Sequence, residues 1–362
     1  MPKRIWNFNA GPATLPLPVL EKIKADLPNF NDTGMAVMEL SHRSKDYAPI
    51  HAEAQALLRE LMNIPDNYKI LLLQGGASTQ FYMIPMNLLN TGQTADYINT
   101  GTWSKKAIKE AKRFGTVNVA ASSEDKNFTY IPALDTLSLT PDARYVHTTS
   151  NNTIAGTQMK QFPDTGSVPL VSDMSSDILS RKLDVSKFGI IYAGAQKNLG
   201  PSGVTVVIIR EDIIGMCNTE IPTMCQYGVQ AEKDSLFNTG PTFSIYILKE
   251  VLTHFKNIGG LPAIEKENEA KGELLYSVIN NNSDFFKSPI AEDSRSLMNV
   301  VFRLPSEELE KKFIADGLAA GFGGLKGHRS VGGIRVSMYN AMTLDGIKAL
   351  TEFMLEFMKN NG

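Results

Sequence analysis

The chain has 362 residues, of which 43% are hydrophobic and 20% are charged. This apolar content is enough for a packed core and the length suits two domains, which excludes an intrinsically disordered protein. The 36 Lys and Arg side chains nearly balance the 38 Asp and Glu side chains, and the net charge of −2 argues against nucleic acid as the main partner.

The cysteine content and the length of the apolar runs exclude further classes of protein. Cys217 and Cys225 are the only cysteines, too few for a disulfide framework or a structural zinc site. The segment Met1–Asn7 has no apolar run typical of a secretory signal, and the longest apolar runs fall well short of the roughly 20 residues of a membrane helix. We therefore expect a cytoplasmic protein with no metal ion, nucleic acid or membrane partner.

The first 210 residues alternate short apolar runs with longer amphipathic stretches. Apolar runs of strand length without strict alternation are typical of a sheet buried on both faces, and helices between them indicate parallel connections. The pattern predicts strands at 68–73, 94–98, 144–148, 168–172, 188–192 and 204–209, with helices at 77–89 and 103–114. An α/β fold is therefore expected here.

A long helical pattern covers 242–257 and is followed by Gly259-Gly260 and Pro262. Glycine is typical of a helix C-cap and proline of a helix break, so we place a domain boundary here. Residues 1–258, with an N-terminal arm, are expected to form a large domain, and residues 259–362 a smaller α+β domain. Within the smaller domain the pattern predicts helices at 263–278, 306–320 and from Leu344 onward, with strands at 298–303 and 334–338.

Two glycines follow the first strand, in the segment Gln74-Gly-Gly-Ala-Ser-Thr-Gln80. Glycine permits a tight turn, and the unpaired N–H groups of the helix that follows attract anions, so this segment is a candidate phosphate-binding turn. Its spacing matches neither the P-loop nor the GxGxxG pattern. The alternative is an ordinary turn from strand to helix with Ser78 as the N-cap.

An aspartate and a lysine follow two later strands: Asp173 after 168–172, and Lys197 after 188–192. A desolvated lysine amine is a nucleophile for aldehydes, and a carboxylate can keep a pyridinium nitrogen protonated. With a phosphate-binding turn these are the parts that pyridoxal phosphate (PLP) requires, and Trp103 is suited to stack on its ring. Singly, Lys197 is equally explained as a surface lysine, Asp173 as an N-cap and Trp103 as a core residue; their shared position at strand ends favours the cofactor.

Segments along nearly the whole chain carry a family resemblance. They are Phe8-Asn-Ala-Gly-Pro-Ala13, Met38-Glu-Leu-Ser-His-Arg43, Gln74-Gly-Gly-Ala-Ser78, Tyr192-Ala-Gly-Ala-Gln-Lys-Asn198, Asn238-Thr239, Leu325-Lys-Gly-His-Arg329, Gly332-Gly-Ile-Arg335 and Tyr339-Asn-Ala341. Through them the chain resembles the phosphoserine aminotransferases, class V aminotransferases of the PLP fold-type I superfamily. The resemblance implies a large domain with a mainly parallel seven-stranded sheet flanked by helices, and a smaller α+β C-terminal domain.

The resemblance also implies a role for each matching residue. Lys197 would bind the cofactor covalently and then move the proton between the substrate Cα and the cofactor, while Asp173 would pair with the pyridinium nitrogen. Further cofactor contacts would come from Ala77, Ser78, Trp103, Thr153 and Gln196, and, across a homodimer, from Asn238 and Thr239. The chain has Gly240 after Asn238-Thr239, where the family commonly has proline.

Two His-Arg pairs and one further arginine remain: His42, Arg43, His328, Arg329 and Arg335. The planar arginine fork suits carboxylate and phosphate, although surface basic residues are the simpler explanation for either pair alone. By resemblance, Arg335 would bind the substrate α-carboxylate, and His328 and Arg329, with His42 and Arg43 of the partner subunit, the substrate phosphate. The implied reaction is reversible amino transfer from O-phospho-L-serine to 2-oxoglutarate, giving 3-phosphohydroxypyruvate and L-glutamate. In many bacteria the family also acts on 4-phosphohydroxythreonine.

Three alternatives stay open at this point: an alanine–glyoxylate aminotransferase, a cysteine desulfurase, and a non-catalytic PLP-binding protein. A desulfurase requires a reactive cysteine on a mobile loop, and neither Cys217 nor Cys225 has that sequence context. A non-catalytic protein would hold a cofactor whose absorbance does not change with an amino donor.

Overall fold

The computed structural model describes residues 4–362. Its helices are α1 (Leu17–Asp26), α2 (Ala48–Met62), α3 (Gly76–Leu88), α4 (Thr102–Ala111), α5 (Glu211–Gly215), α6 (Tyr227–Glu232), α7 (Thr242–Asn257), α8 (Gly260–Asn281), α9 (Glu307–Ala319) and α10 (Leu344–Asn361). No helix in this range combines the length and the apolar content needed to cross a membrane.

The strands form one large sheet and several two-stranded pairs. They are β1 (Trp6–Asn7), β2 (Tyr68–Leu73), β3 (Thr94–Asn99), β4 (Thr116–Ser122), β5 (Val146–Thr149), β6 (Asn151–Asn152), β7 (Thr157–Gln158), β8 (Leu170–Asp173), β9 (Ile190–Gly194), β10 (Thr205–Arg210), β11 (Asn299–Phe302), β12 (Phe322–Gly323) and β13 (Ile334–Ser337).

The large sheet has seven strands in the order β2-β10-β9-β8-β5-β3-β4. The neighbours from β9 to β4 are parallel, whereas β10 is antiparallel to both β9 and β2. Because β2 and β9 are both antiparallel to β10, they run in the same direction as each other. The carboxyl ends of β2, β3, β5, β8 and β9 therefore share one edge of the sheet, and the predicted mainly parallel α/β fold is confirmed.

Alternate residues of the central strands pack on opposite faces of the sheet. In β9, Ile191 and Ala193 pack with α2 and α7, while Ile190 and Tyr192 pack with α3 and α4. Every residue of β9 is buried, because helices cover both faces. This two-sided burial explains why the strands read as continuous apolar runs.

A separate apolar cluster is built mainly from residues 275–357. Phe8 belongs to it, since β1 pairs in parallel with β12. Phe313 lies near its centre, with four phenylalanine rings at centroid distances of 5.0–6.4 Å. The division of the chain at residue 258 stays a prediction.

Several elements differ from those predicted. Strand β4 was missed because it is the half-exposed edge strand, with a weak apolar pattern. The helices α1 and α2 were not predicted. Pro262 does not break a helix: it lies in the first turn of α8, where proline removes no intrahelical hydrogen bond.

Candidate active site

A cavity of about 470 Å³ opens where the carboxyl ends of the sheet strands meet. Ten of the fourteen predicted site residues line it: Ala77, Ser78, Trp103, Thr153, Asp173, Gln196, Lys197, His328, Arg329 and Arg335. The other four, His42, Arg43, Asn238 and Thr239, do not. Most of the predicted set is thus brought together by one chain.

The turn between β2 and α3 forms one wall of the cavity. Gly75 has φ +90° and Gly76 has φ +65°, and a Cβ on Gly75 would lie 1.8 Å from Thr79 Oγ1. Glycine is therefore required at Gly75 for both conformation and space. Helix α3 begins at Gly76, so Ala77 and Ser78 lie in its first turn, with backbone N–H groups that have no partner within the helix. Ser78 is not the N-cap; that position belongs to Gly75.

Trp103 lies in the first turn of α4 and packs between the core and the cavity. Its ring centroid is 6.5 Å from that of Phe81, on the core side. On the polar side, Lys197 Nζ is 5.5 Å from the ring centroid. The indole Nε1 is buried without a hydrogen-bond partner in the described structure.

Asp173 ends β8 and is buried at the bottom of the cavity. Its Oδ1 accepts hydrogen bonds from the Ser175 backbone N–H at 2.9 Å and from the Ser175 Oγ at 2.6 Å. Desolvation raises the pKa of Asp173, and the two Ser175 bonds and the charge of Lys197 oppose this rise. Ser175 therefore favours the ionised carboxylate.

Lys197 follows β9 by three residues and faces Thr153 across the cavity. Its Nζ donates to Thr153 Oγ1 at 2.6 Å. Desolvation lowers the pKa of Lys197 to about 8, against the opposing effect of Asp173. A substantial fraction of the amine is therefore neutral near physiological pH, as a nucleophile requires.

The backbone next to Lys197 is anchored on both sides. The Gln196 carbonyl accepts the Ala13 N–H at 2.9 Å, and a Cβ on Gly11 would lie 3.3 Å from Lys197 Cγ. Asn198 Oδ1 accepts the Asn340 N–H at 3.0 Å. The N-terminal arm and the C-terminal region thus both hold the lysine in place.

Arg335, on β13, closes the other side of the cavity. Its Nη1 makes only a long contact of 3.5 Å with the Thr153 carbonyl, and its Nε is buried without a partner in the described structure. Desolvation lowers the pKa of Arg335. A partly buried guanidinium with an unpaired Nε–H is stabilised by an anion.

His328 and Arg329 lie beside Arg335 on the cavity wall. His328 Nδ1 accepts the Ser330 N–H at 3.3 Å and lies 2.7 Å from Ser330 Oγ, which leaves Nε2 as the donor. Burial lowers the pKa of His328, and Arg335, Arg329 and Lys106 lower it further. The positive charges therefore lie close enough together to repel one another.

The four predicted residues outside the cavity form a group of their own. Thr239 Oγ1 lies 3.2 Å from His42 Nδ1, and Arg43 Nε donates to His42 Nε2 at 3.1 Å. Asn238 Nδ2 donates to Gln74 Oε1 at 2.8 Å, which places it next to the glycine turn. Arg43 and Thr239 are exposed.

Sequence reasoning missed three residues that shape the cavity. Ser175 hydrogen bonds to Asp173, Gly11 packs against Lys197, and Lys106 lines the mouth beside Trp103. Gly11 lies within the matching segment Phe8–Ala13 and Ser175 follows Asp173 by two residues, so both had a usable signal. Lys106 had none, because a helical lysine is ordinarily a solvated surface residue.

Residues 5–350 match the aminotransferase class-V family. The chain belongs to that family. A phosphoserine aminotransferase from Lysinibacillus sphaericus (strain C3-41) is 55% identical over 361 residues, which cover 100% of both chains. The solved phosphoserine aminotransferase from Bacillus circulans subsp. alkalophilus has a TM-score of 0.97 at 53% identity, covering 99% of each chain. A PLP-bound phosphoserine aminotransferase from Trichomonas vaginalis has a TM-score of 0.93 at 39% identity, covering 97% of this chain and 100% of that chain.

As a class-V aminotransferase, this chain uses PLP, and its cavity fits that cofactor. The glycine turn offers unpaired N–H groups for the phosphate, Asp173 a buried carboxylate for the ring nitrogen, and Lys197 an amine for the aldehyde. The Trp103 ring supplies a flat face beside Lys197. The donor set thus has a group for the phosphate, the ring nitrogen and the aldehyde of the cofactor.

We predict that Ser175→Ala shifts the acid side of the pH–activity profile to higher pH. Loss of one bond to the carboxylate raises the pKa of Asp173, so as pH falls the ionised form is lost sooner, by roughly 1–2 pH units. The profile of activity and the visible spectrum of the bound cofactor, both measured from pH 5 to 9, check this.

Ser186→Ala is the matched control. Ser186 makes the same backbone and Oγ bonds to Asp184 Oδ1, at 3.1 and 2.5 Å, and lowers the pKa of that exposed carboxylate. Neither Ser186 nor Asp184 lines the cavity. An acid limb that is the same in Ser175→Ala, Ser186→Ala and the unmodified enzyme would contradict the assigned role of Ser175.

Proposed function

We propose that this enzyme transfers the amino group of O-phospho-L-serine to 2-oxoglutarate, giving 3-phosphohydroxypyruvate and L-glutamate, and also catalyses the reverse reaction. The supporting observation is the charge of the cavity. Among the described residues its lining includes one carboxylate, Asp173, and five basic side chains, Lys106, Lys197, His328, Arg329 and Arg335. Asp173 and Lys197 serve the cofactor, and the four basic side chains that remain suit a substrate with an anion at each end.

Arg335 binds the α-carboxylate in this proposal. It lies beside Thr153, which in turn contacts Lys197, so a carboxylate on Arg335 holds the substrate Cα near the Lys197 amine. The unpaired Nε and the weakly bonded Nη1 match the two-pronged geometry of a carboxylate. This contact orients the amino group common to phosphoserine and glutamate.

His328 and Arg329 bind the phosphate. Burial lowers the pKa of His328 and repulsion from the neighbouring cations lowers it further, and a phosphate dianion offsets that repulsion. A second anion site is what separates this substrate from uncharged amino acids, because a site built for a charged group rejects ligands that lack it. The same contacts accept 4-phosphohydroxythreonine, which has the same two anionic ends, and it forms part of the proposal.

The residues around the reacting atoms have distinct tasks. When bound, PLP supplies an electron sink for the bond broken at the substrate Cα. Asp173, kept ionised by Ser175, holds a proton on the ring nitrogen. Lys197 Nζ, neutral in part because desolvation lowers its pKa to about 8, accepts the Cα proton and returns it on the cofactor side. The same proton transfer takes place once with the amino donor and once, in the reverse direction, with the amino acceptor. These two half-reactions complete the transfer of the amino group.

We further propose a homodimer with shared active sites and a cytoplasmic location. His42, Arg43, Asn238 and Thr239 lie outside the cavity of their own chain, on segments that expose large apolar side chains. These are Met35, Met38 and Phe237, exposed by 38–50%, as expected of a surface that a second subunit covers. The free thiols of Cys217 and Cys225 suit a reducing compartment.

The cysteine chemistry disfavours a desulfurase. Burial raises the pKa of Cys217 to about 12, and its Sγ contacts the Ile213 carbonyl at 3.3 Å. Burial also raises the pKa of Cys225, and neither cysteine is among the residues that line the cavity. A thiolate nucleophile requires the opposite environment.

We predict that Arg329→Ala lowers kcat/KM for phosphoserine about 10- to 100-fold and changes that for glutamate far less. A charge-assisted contact to phosphate contributes on the order of 1.5–3 kcal/mol, and glutamate has no phosphate. Single-turnover absorbance changes of the bound cofactor measure both half-reactions. Lys326→Ala, an exposed cation on the same loop that does not line the cavity, serves as the control. Equal losses for the two donors would contradict the role of Arg329.

We predict that two inactive variants restore activity together. Lys197→Ala removes a residue of its own site, and His42→Ala/Arg43→Ala removes residues of the partner's site. In the mixed dimer one site then keeps every group, so co-expression in equal amounts gives about one quarter of normal activity at low phosphoserine concentration. Differently tagged, co-purified subunits provide the sample. Activity no higher than that of the separate variants, or a monomer by sedimentation, would contradict the shared site.

A further inference from the structure

Lys106 is a basic residue of the cavity with no function in the mechanism above. It lies on α4, is exposed, and lines the cavity together with His328 and Arg329. Within residues 4–362 its ammonium group makes no salt bridge and no side-chain hydrogen bond, whereas Asp173 is paired in charge with Lys197. Lys106 therefore contributes an uncompensated positive charge to the cavity mouth.

The neighbouring Lys105, on the same helix, does not have an uncompensated charge. Lys105 Nζ lies 2.6 Å from Glu124 Oε1 and its charge is thereby compensated. Lys105 is also absent from the cavity lining, whereas the surface groove on the other side is bordered by both lysines. The two adjacent lysines thus share their exposure and that groove, and they differ in that Lys106 also lines the cavity.

Two observations place the Lys106 ammonium group near the reaction site. Its Nζ is 4.4 Å from the centroid of the Trp103 ring, a cation–π contact. Its charge also acts on His328, together with those of Arg329 and Arg335. Lys106 therefore lies between the ring that faces the cofactor and the basic group that faces the substrate.

We propose that Lys106 binds the phosphate of the substrate and favours phosphorylated ligands over the same molecules without phosphate. This inference rests on the proposed function. The lysine ammonium group is a compact charge that suits a phosphate dianion. After a bidentate contact with arginine, the phosphate still has a free terminal oxygen that a lysine can bind. Arg335 serves the α-carboxylate, so Lys106 acts at the distal end of the substrate, where phosphoserine and glutamate differ.

The test measures binding without turnover. L-3-phosphoglycerate has a hydroxyl where O-phospho-L-serine has the amino group, so it presents both anionic ends and cannot undergo amino transfer. L-glycerate is the same molecule without phosphate. Titration calorimetry of both ligands into the holoenzyme is carried out for the unmodified protein, Lys106→Met, Lys106→Arg and the matched control Lys105→Met.

We expect Lys106→Met to weaken phosphoglycerate binding about fivefold at roughly 0.1 M salt, and Lys106→Arg and Lys105→Met to bind nearly normally. Glycerate binding stays unchanged in all variants. At about 1 M salt, where the screening length falls to about 3 Å, the difference between Lys106→Met and the unmodified enzyme shrinks. An unchanged visible spectrum of the cofactor confirms that the Trp103 side of the site is intact.

Three results would overturn the inference. They are equal affinity of Lys106→Met and Lys105→Met for phosphoglycerate, an equal loss for glycerate, or a Lys106→Arg variant as weak as Lys106→Met. If the unmodified enzyme itself bound phosphoglycerate no better than glycerate, the phosphate site of the proposed function would fail as well. The two failures are therefore distinguishable.

Discussion

The active site depends on two opposite charges that the fold removes from water at the ends of neighbouring strands. Desolvation raises the pKa of Asp173 and lowers that of Lys197, and each charge opposes the shift of the other. The parallel register of β8 and β9 pairs Asp173 with Tyr192, five residues before Lys197. The sheet thus fixes the spacing of an acid and an amine whose protonation states the reaction needs.

Most of the surrounding structure keeps this pair in place and directs a substrate toward it. Ser175 holds the carboxylate, and Ala13 of the N-terminal arm and Asn340 of the C-terminal region hold the lysine segment. Arg335, partly buried and with an unpaired Nε, then provides the first anchor for an anion. One carboxylate cannot offset every basic group of the lining, which is the basis of our proposal that the substrate has more than one negative charge.

The sequence predicted the elements and residues whose signal is local. Strands buried on both faces, such as β9, stand out as apolar runs, and the residues at their carboxyl ends fall at one edge of a parallel sheet. The half-exposed strand β4 and the antiparallel direction of β10 have no such signal, since both follow from tertiary pairing. The position of Lys106 in the cavity lining likewise has no sequence signal, because Lys105 beside it has the same local sequence properties. His42 and Thr239 contact each other outside the cavity, so their predicted roles depend on a second subunit.

The most direct test of this account asks which lysine holds the cofactor. Burial also lowers the pKa of Lys160 to about 8 and that of Lys271 to about 7, so acidity alone does not single out Lys197. Among the lysines of residues 4–362, only Lys197 combines a lowered pKa with a place in the cavity beside Asp173. Borohydride reduction of the holoenzyme, followed by proteolysis and mass spectrometry, identifies the lysine linked to PLP. The account predicts modification of the Lys197 peptide alone; modification at Lys160, Lys271 or Lys106, or none in a cofactor-loaded sample, would contradict it.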